Sequence, residues 1–129
     1  MSGQPIRIIL MVILAIAILV LSILPEPPIS LVSFAGMDKV QHWIAYTVLG
    51  FLVFLTLRTR GGNKALYLAL TVFACSMYGG LIEVLQGFTG RTPEIADFFV
   101  NMLGSACGAI AALGFIEISR SRGKKDRSH

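Results

Sequence analysis

The chain has 129 residues, of which 55% are apolar and only 14% charged, with a formal net charge of +4 and a mean hydropathy of +0.77. A soluble domain averages about 25% charged residues, and the core of one small domain has too little volume for its surface to hide so many apolar side chains. Composition therefore excludes an ordinary soluble enzyme, a disordered tail and a disulfide scaffold, and it points to a single-domain integral membrane protein.

A membrane helix needs about 20 mostly apolar residues. Ile8–Leu24 is the first such run, with Ser22 its only polar residue. Its 17 residues exceed the apolar core of a signal peptide, and the small-x-small triplet Ser33-Phe34-Ala35 lies far downstream, so the run reads as a retained span. Pro25, Pro27 and Pro28 stop it, because proline removes a backbone donor and clashes with the preceding turn. Val40–Leu57 is the second run and carries Gln41 and His42 at its start. Gly61, Gly62 and Asn63 break it, and Asn63 is a natural N-cap for the next helix.

Ala65–Leu85 is the third run, with Glu83 near its end and Gly87 and Gly90 as helix-terminating glycines. The fourth extends from Phe98 to Ile118, and Thr92-Pro93 predicts an N-cap and first helical position ahead of it. The expectation is an all-α membrane protein: a four-transmembrane-helix bundle with helices near 6–24, 40–57, 65–85 and 94–118. Residues 1–119 form one transmembrane domain and 120–129 a basic, solvated tail.

Lys and Arg collect in cytoplasmic loops. Arg7, Arg58, Arg60, Lys64, Arg120, Arg122, Lys124, Lys125 and Arg127, nine of the eleven basic residues, fall on one side of a four-span topology. Only Lys39 and Arg91 fall on the other. Both termini are therefore expected in the cytoplasm, with Pro25–Lys39 and Gln86–Asp97 facing outward. The tail serves as a topology signal, with attraction to anionic lipid as the sharper alternative. No folded basic module accompanies it, so no nucleic-acid partner is expected.

Polar residues within membrane helices are costly and point to function by default. Asp38, His42 and Tyr46 are four residues apart and share a helix face, with Lys39 beside them. Glu83 and Gln86 share a face at the end of the third run. Asp97 and Asn101 do so at the start of the fourth, and Arg91 lies between. Up-and-down topology brings all three sets to the same depth, near the outer interface. Each residue also has a plainer role. Asp38 and Asp97 suit helix starts, Lys39 suits snorkelling and Trp43 an interfacial belt. Glu83 suits an ion pair with Arg91, Asn101 an interhelical hydrogen bond, and Glu94 a solvated helix start. Gly104 and Gly108 form a G-x-x-x-G step, extended by Ala111 and Ala112, that lets helices approach closely; packing within the bundle and a homo-oligomer interface both fit it. Cys75 and Cys107 read as small packing residues at mid-membrane.

The pattern Asp38-Lys39-x-x-His42-x-x-x-Tyr46, then Glu83-x-x-Gln86, Arg91 and Asp97-x-x-x-Asn101-x-x-Gly104, resembles the VanZ-like family of bacterial membrane proteins. The resemblance spans roughly Met37 to Gly108. It implies a small multi-pass protein of the bacterial cytoplasmic membrane, in a family whose name-giving member is associated with teicoplanin resistance as an accessory to a glycopeptide-resistance cluster. What carries over is the fold and the motif positions, not resistance itself.

Three functions fit these residues. The first is an envelope protein whose outer polar site binds a lipid-linked cell-wall intermediate or an anionic lipid headgroup, with Arg91 and Lys39 on phosphate and Gln86 and Asn101 on sugar or amide groups. The second is an enzyme on such lipids, with His42 and a carboxylate in acid–base work or Asp38, His42, Glu83 and Asp97 around a divalent ion. No G-x-S-x-G elbow and no H-E-x-x-H supports a familiar hydrolase, and neither a metal nor a cofactor is assigned. The third is a small assembly or transport subunit. The topology has a direct check: reporters fused after Phe34 and after Gly90 will read as external and one fused after Gly62 as internal, and the reverse pattern would invert the assignment.

Overall fold

A computed structural model describes residues 3–25, 36–58 and 61–127. Glu26, Pro27, Pro28, Ser33–Ala35 and Arg60, which carry part of the sequence reading, lie outside the described residues. There are four helices: α1 (Gln4–Ile23), α2 (Met37–Leu57), α3 (Lys64–Phe88) and α4 (Ile95–Asp126). All four are long and apolar enough to cross a membrane, and the described residues contain no strand. The chain is a multi-pass, all-helical membrane protein.

Contacts at the helix ends fix the up-and-down course. At one end Arg7 at the start of α1 donates from Nη1 to the Leu55 carbonyl at the end of α2, 3.1 Å away. There too, Arg58 and Lys64 flank Glu117 of α4 at 3.6 and 2.7 Å. At the opposite end Lys39 near the start of α2 meets Asp97 near the start of α4, and Gln86 near the end of α3 reaches Ser22 near the end of α1.

Local chemistry sets most of the helix boundaries. Asn63 caps α3, its Oδ1 accepting from the N–H groups of Ala65 and Leu66 at 2.9 and 3.3 Å. Gly36 before α2 and Gly90 after α3 have φ of 93° and 80°, a left-handed backbone that favours glycine. Thr92-Pro93 does not start α4. The helix begins two residues later, with Glu94 at the N-cap and no side-chain cap of its own. The reason lies on α3: Glu83 Oε2 accepts the Glu94 N–H at 3.2 Å, supplying from another helix the acceptor that Thr92 would have supplied locally. Nor does α4 end at Ile118. It continues to Asp126, with Lys124 and Lys125 in its last turn, where cations favour the negative helix end. At 32 residues it is about 48 Å long, well beyond a hydrocarbon core of about 30 Å.

α2 and α4 form the closest pair, while α1 packs only on α2 and α3. Small residues explain the pairing. A Cβ on Gly108 would lie 1.9 Å from the Thr47 carbonyl oxygen, one on Gly104 2.7 Å from that of Trp43, and one on Gly50 2.4 Å from that of Ser105. The G-x-x-x-G step thus serves packing within the bundle. Ala109 and Ala112 are buried beside Phe54, but Ala111 faces outward. The same helix rotation exposes Cys107, whereas Cys75 is buried, so only one of the two cysteines is a packing residue. The outside is apolar, with Ile13, Leu21, Phe73, Val84, Leu103 and Ile110 all more than half exposed, as a surface solvated by lipid requires. Gly108→Ala is expected to destabilise the bundle by about 1–3 kcal/mol or more through overpacking, read as a lower Tm in detergent. Gly114→Ala, which meets nothing within 4 Å, will not lower Tm, since alanine is the better helix former.

Candidate functional site

The polar end of the bundle collects two helix N-termini, of α2 and α4, and two C-termini, of α1 and α3. Helix N-termini carry partial positive charge and C-termini partial negative charge. The side chains obey that pattern. Asp38 and Asp97 occupy the first turns of α2 and α4, and Glu83 accepts from the backbone at the α4 start. At the α1 end, where the last carbonyls lack helical donors, the Ser22 carbonyl accepts from Gln86 Nε2 at 3.0 Å and from Arg91 Nη1 at 2.8 Å.

Between these ends lies a cleft of about 360 Å³, lined by Pro25, Asp38, His42, Gln86, Arg91, Glu94, Asp97 and the turn from Thr89 to Thr92. Lys39 Nζ sits beside it among three carboxylates: 2.7 Å from Glu94, 3.3 Å from Asp38 and 3.7 Å from Asp97. Those carboxylates offer oxygens within 4.8 Å of one another, a hard-oxygen set of the kind magnesium or calcium takes. The lysine ammonium supplies one positive charge among them.

One turn deeper, His42 Nδ1 and Asn101 Oδ1 are hydrogen-bonded at 3.0 Å. An amide oxygen only accepts, so in this bond Nδ1 is the donor. The His42 ring stacks over Tyr46, with centroids 6.4 Å apart, and Tyr46 and Asn101 are each 1% exposed. Glu83 is buried at the same level, one carboxylate oxygen on the Glu94 N–H and the other without a hydrogen-bond partner among the described residues.

The model of the VanZ/LLP1 family matches residues 7–117. The chain belongs to the VanZ/LLP1 family. Comparison with curated proteins and with solved structures finds no match. The family match covers nearly all of the four spans and every residue of the polar end.

In this VanZ/LLP1 bundle, Asp38, His42, Gln86, Arg91 and Asp97 line the cleft. Lys39 is tied to that lining by its carboxylate partners, Asn101 by His42, Tyr46 by ring stacking and Glu83 by the Glu94 N–H. All nine thus lie at one end of the molecule. Glu83 is held by the α4 backbone, while Arg91 reaches α1 through Ser22. Sequence reasoning leaves out Glu94, a solvated helix-start acid on that reading; its carboxylate is the nearest partner of Lys39. It also leaves out α1, which contributes the Ser22 carbonyl, and Pro25 just beyond that helix. No residue type signals that contact, because the acceptor is a backbone carbonyl. Gly79 has Asn101 and Tyr46 as its neighbours, so it too belongs to this region.

A double-mutant cycle combining His42→Ala with Asn101→Ala is expected to return a coupling energy of about 0.6 kcal/mol, and no more than about 1.7, in unfolding experiments in mixed micelles. Strict additivity would mean that the two side chains do not interact.

Proposed function

We propose that this protein is an envelope component of the bacterial cytoplasmic membrane whose polar cleft faces outward and binds the headgroup of a lipid. The basic residues support that orientation, since nine of eleven belong to the opposite side of the bundle. The observation that carries the binding reading is the lining of the cleft: Asp38, Glu94 and Asp97 stand beside Arg91, His42 and Gln86.

That mixture selects a class of ligand. Arg91 suits a phosphate, which a guanidinium can bind through two parallel hydrogen bonds. The carboxylates suit hydroxyl, amide or amine donors, and Gln86 either kind of group. A bare anion would meet more acid than base, because Lys39 is already shared among three carboxylates. A phosphate carrying donor-rich sugar or peptide groups, as in a lipid-linked cell-wall intermediate, matches the lining better than a simple anionic lipid. Hydrocarbon tails would run along the apolar flank, where Met11, Leu19, Leu49, Val53 and Tyr78 line a groove of about 370 Å³ between α1, α2 and α3.

A second reading is favoured by His42. With Nδ1 donating to Asn101, Nε2 is the nitrogen left for general base or acid work, so an enzyme acting on the same headgroups uses the same cleft. Native mass spectrometry of the purified protein tests the binding reading. The wild type will carry a phosphate-containing lipid that Arg91→Ala and Glu83→Gln lose or exchange; identical lipid on all three would remove the proposal. Turnover of extracted lipid intermediates, abolished in His42→Ala, would move the assignment to the enzyme.

A further inference from the structure

A second charged site lies at the end of the bundle opposite the cleft. Arg58 follows α2, Lys64 opens α3, and both meet Glu117 of α4. Arg120, one turn further along α4, acts on the same carboxylate. Three helices thus bring three cations to one acid.

The acid does not satisfy them. Lys64 Nζ holds it at 2.7 Å, while Arg58 Nη2 stays at 3.6 Å, beyond hydrogen-bond length. The Arg58 side chain is only 5% exposed, and its Nη1 is buried with no hydrogen bond among the described residues. A buried cation is costly unless an anion compensates it. Glu117 is shared, so positive charge remains in excess. Apart from Glu117, the sequence puts only Asp126 at this end. Asp126 is about two and a half turns beyond Glu117 on α4, and so on the far side of the helix.

The extension of α4 continues the same basic face. Arg120 and Lys124 follow Glu117 at the spacing of helical neighbours, whereas Arg122 and Lys125 turn away from that face. The Lys64 side chain is half exposed and Arg120 is exposed, so the excess charge is open to a ligand.

The setting selects that ligand. It must accept hydrogen bonds, because lysine and arginine only donate, and it must be negative. Arg58 and Lys64 stand at the ends of two apolar spans, which is the level of lipid headgroups. Basic pockets between helix ends at that level suit phosphate-bearing headgroups.

We infer that this end of the bundle binds the phosphate of an anionic phospholipid. Lys64 and Arg120 contact the phosphate, the buried Arg58 guanidinium adds its field from beneath, and Glu117 holds Lys64 in position. This is a built site between helices, distinct from a general attraction of the basic tail. It is separate from the cleft and does not depend on what the cleft binds.

The test is fluorescence quenching by brominated lipid, with the full chain carrying Trp43→Phe and Leu66→Trp. Leu66 is 52% exposed and two residues from Lys64, so the new indole reports on lipid at this end alone. In phosphatidylcholine bilayers containing brominated phosphatidylglycerol, the reporter protein will prefer phosphatidylglycerol by about fivefold or more, the weight of at least one basic residue. Lys64→Gln combined with Arg120→Gln will bring the preference close to unity. Arg122→Gln combined with Lys125→Gln, which removes equal charge from the other side of α4, will leave it in place. If the first pair fails to fold, Arg120→Gln alone decides, with a partial loss expected. No preference in the reporter protein, or equal losses from the two faces, would overturn the site. Release of the lipid by millimolar inorganic phosphate would overturn the assignment to a lipid.

Discussion

Hydrocarbon cannot hydrogen-bond, and most of this structure is a consequence of that constraint. A soluble protein can leave a histidine, a glutamate and an asparagine on its surface at little cost. Four spanning helices cannot, so their polar side chains must either reach an interface or find one another. Here they do both: Asp38, Lys39, Arg91, Glu94 and Asp97 gather around the cleft, while His42 bonds Asn101 and Glu83 takes the Glu94 N–H. The helix ends decide the arrangement of sign. Carboxylates gather where α2 and α4 begin, and Gln86 and Arg91 close the end of α1, as the partial charges of helix termini favour.

The close approach of α2 and α4 makes this convergence geometrically available. Gly50, Gly104 and Gly108 bring the two backbones into contact, which places His42 and Asn101 within hydrogen-bond distance of each other. With little hydrophobic drive between helices in lipid, van der Waals packing of small residues and a few interhelical hydrogen bonds hold the bundle. In this VanZ/LLP1 protein the packing seam and the His42–Asn101 bond belong to the same helix pair.

The spans are legible in the sequence because length and hydropathy alone define a membrane crossing, and the cap at Asn63 because its chemistry is local. The motif residues are legible because four-residue spacing puts Asp38, His42 and Tyr46, and likewise Asp97 and Asn101, on common faces. Helix rotation is harder to read. When the lipid-facing and core-facing sides are both apolar, hydropathy does not say which is which, and so Ala111 and Cys107 are expected inward when they face out. The start of α4 is misplaced from sequence because its cap comes from Glu83 on another helix. The part played by α1 is hidden because it contributes a backbone carbonyl at Ser22, which any residue type would supply.

Helices α2, α3 and α4 share one internal polar seam, and both the cleft and its chemistry rest on it. Solid-state magnetic resonance of the protein in lipid bilayers examines this most directly, through correlations between His42 ring nitrogen and Asn101 side-chain carbon and between Glu83 carboxyl carbon and Glu94 amide nitrogen. Both interhelical correlations are expected. Their absence, with the same side chains correlating instead to lipid acyl protons, would contradict a shared seam.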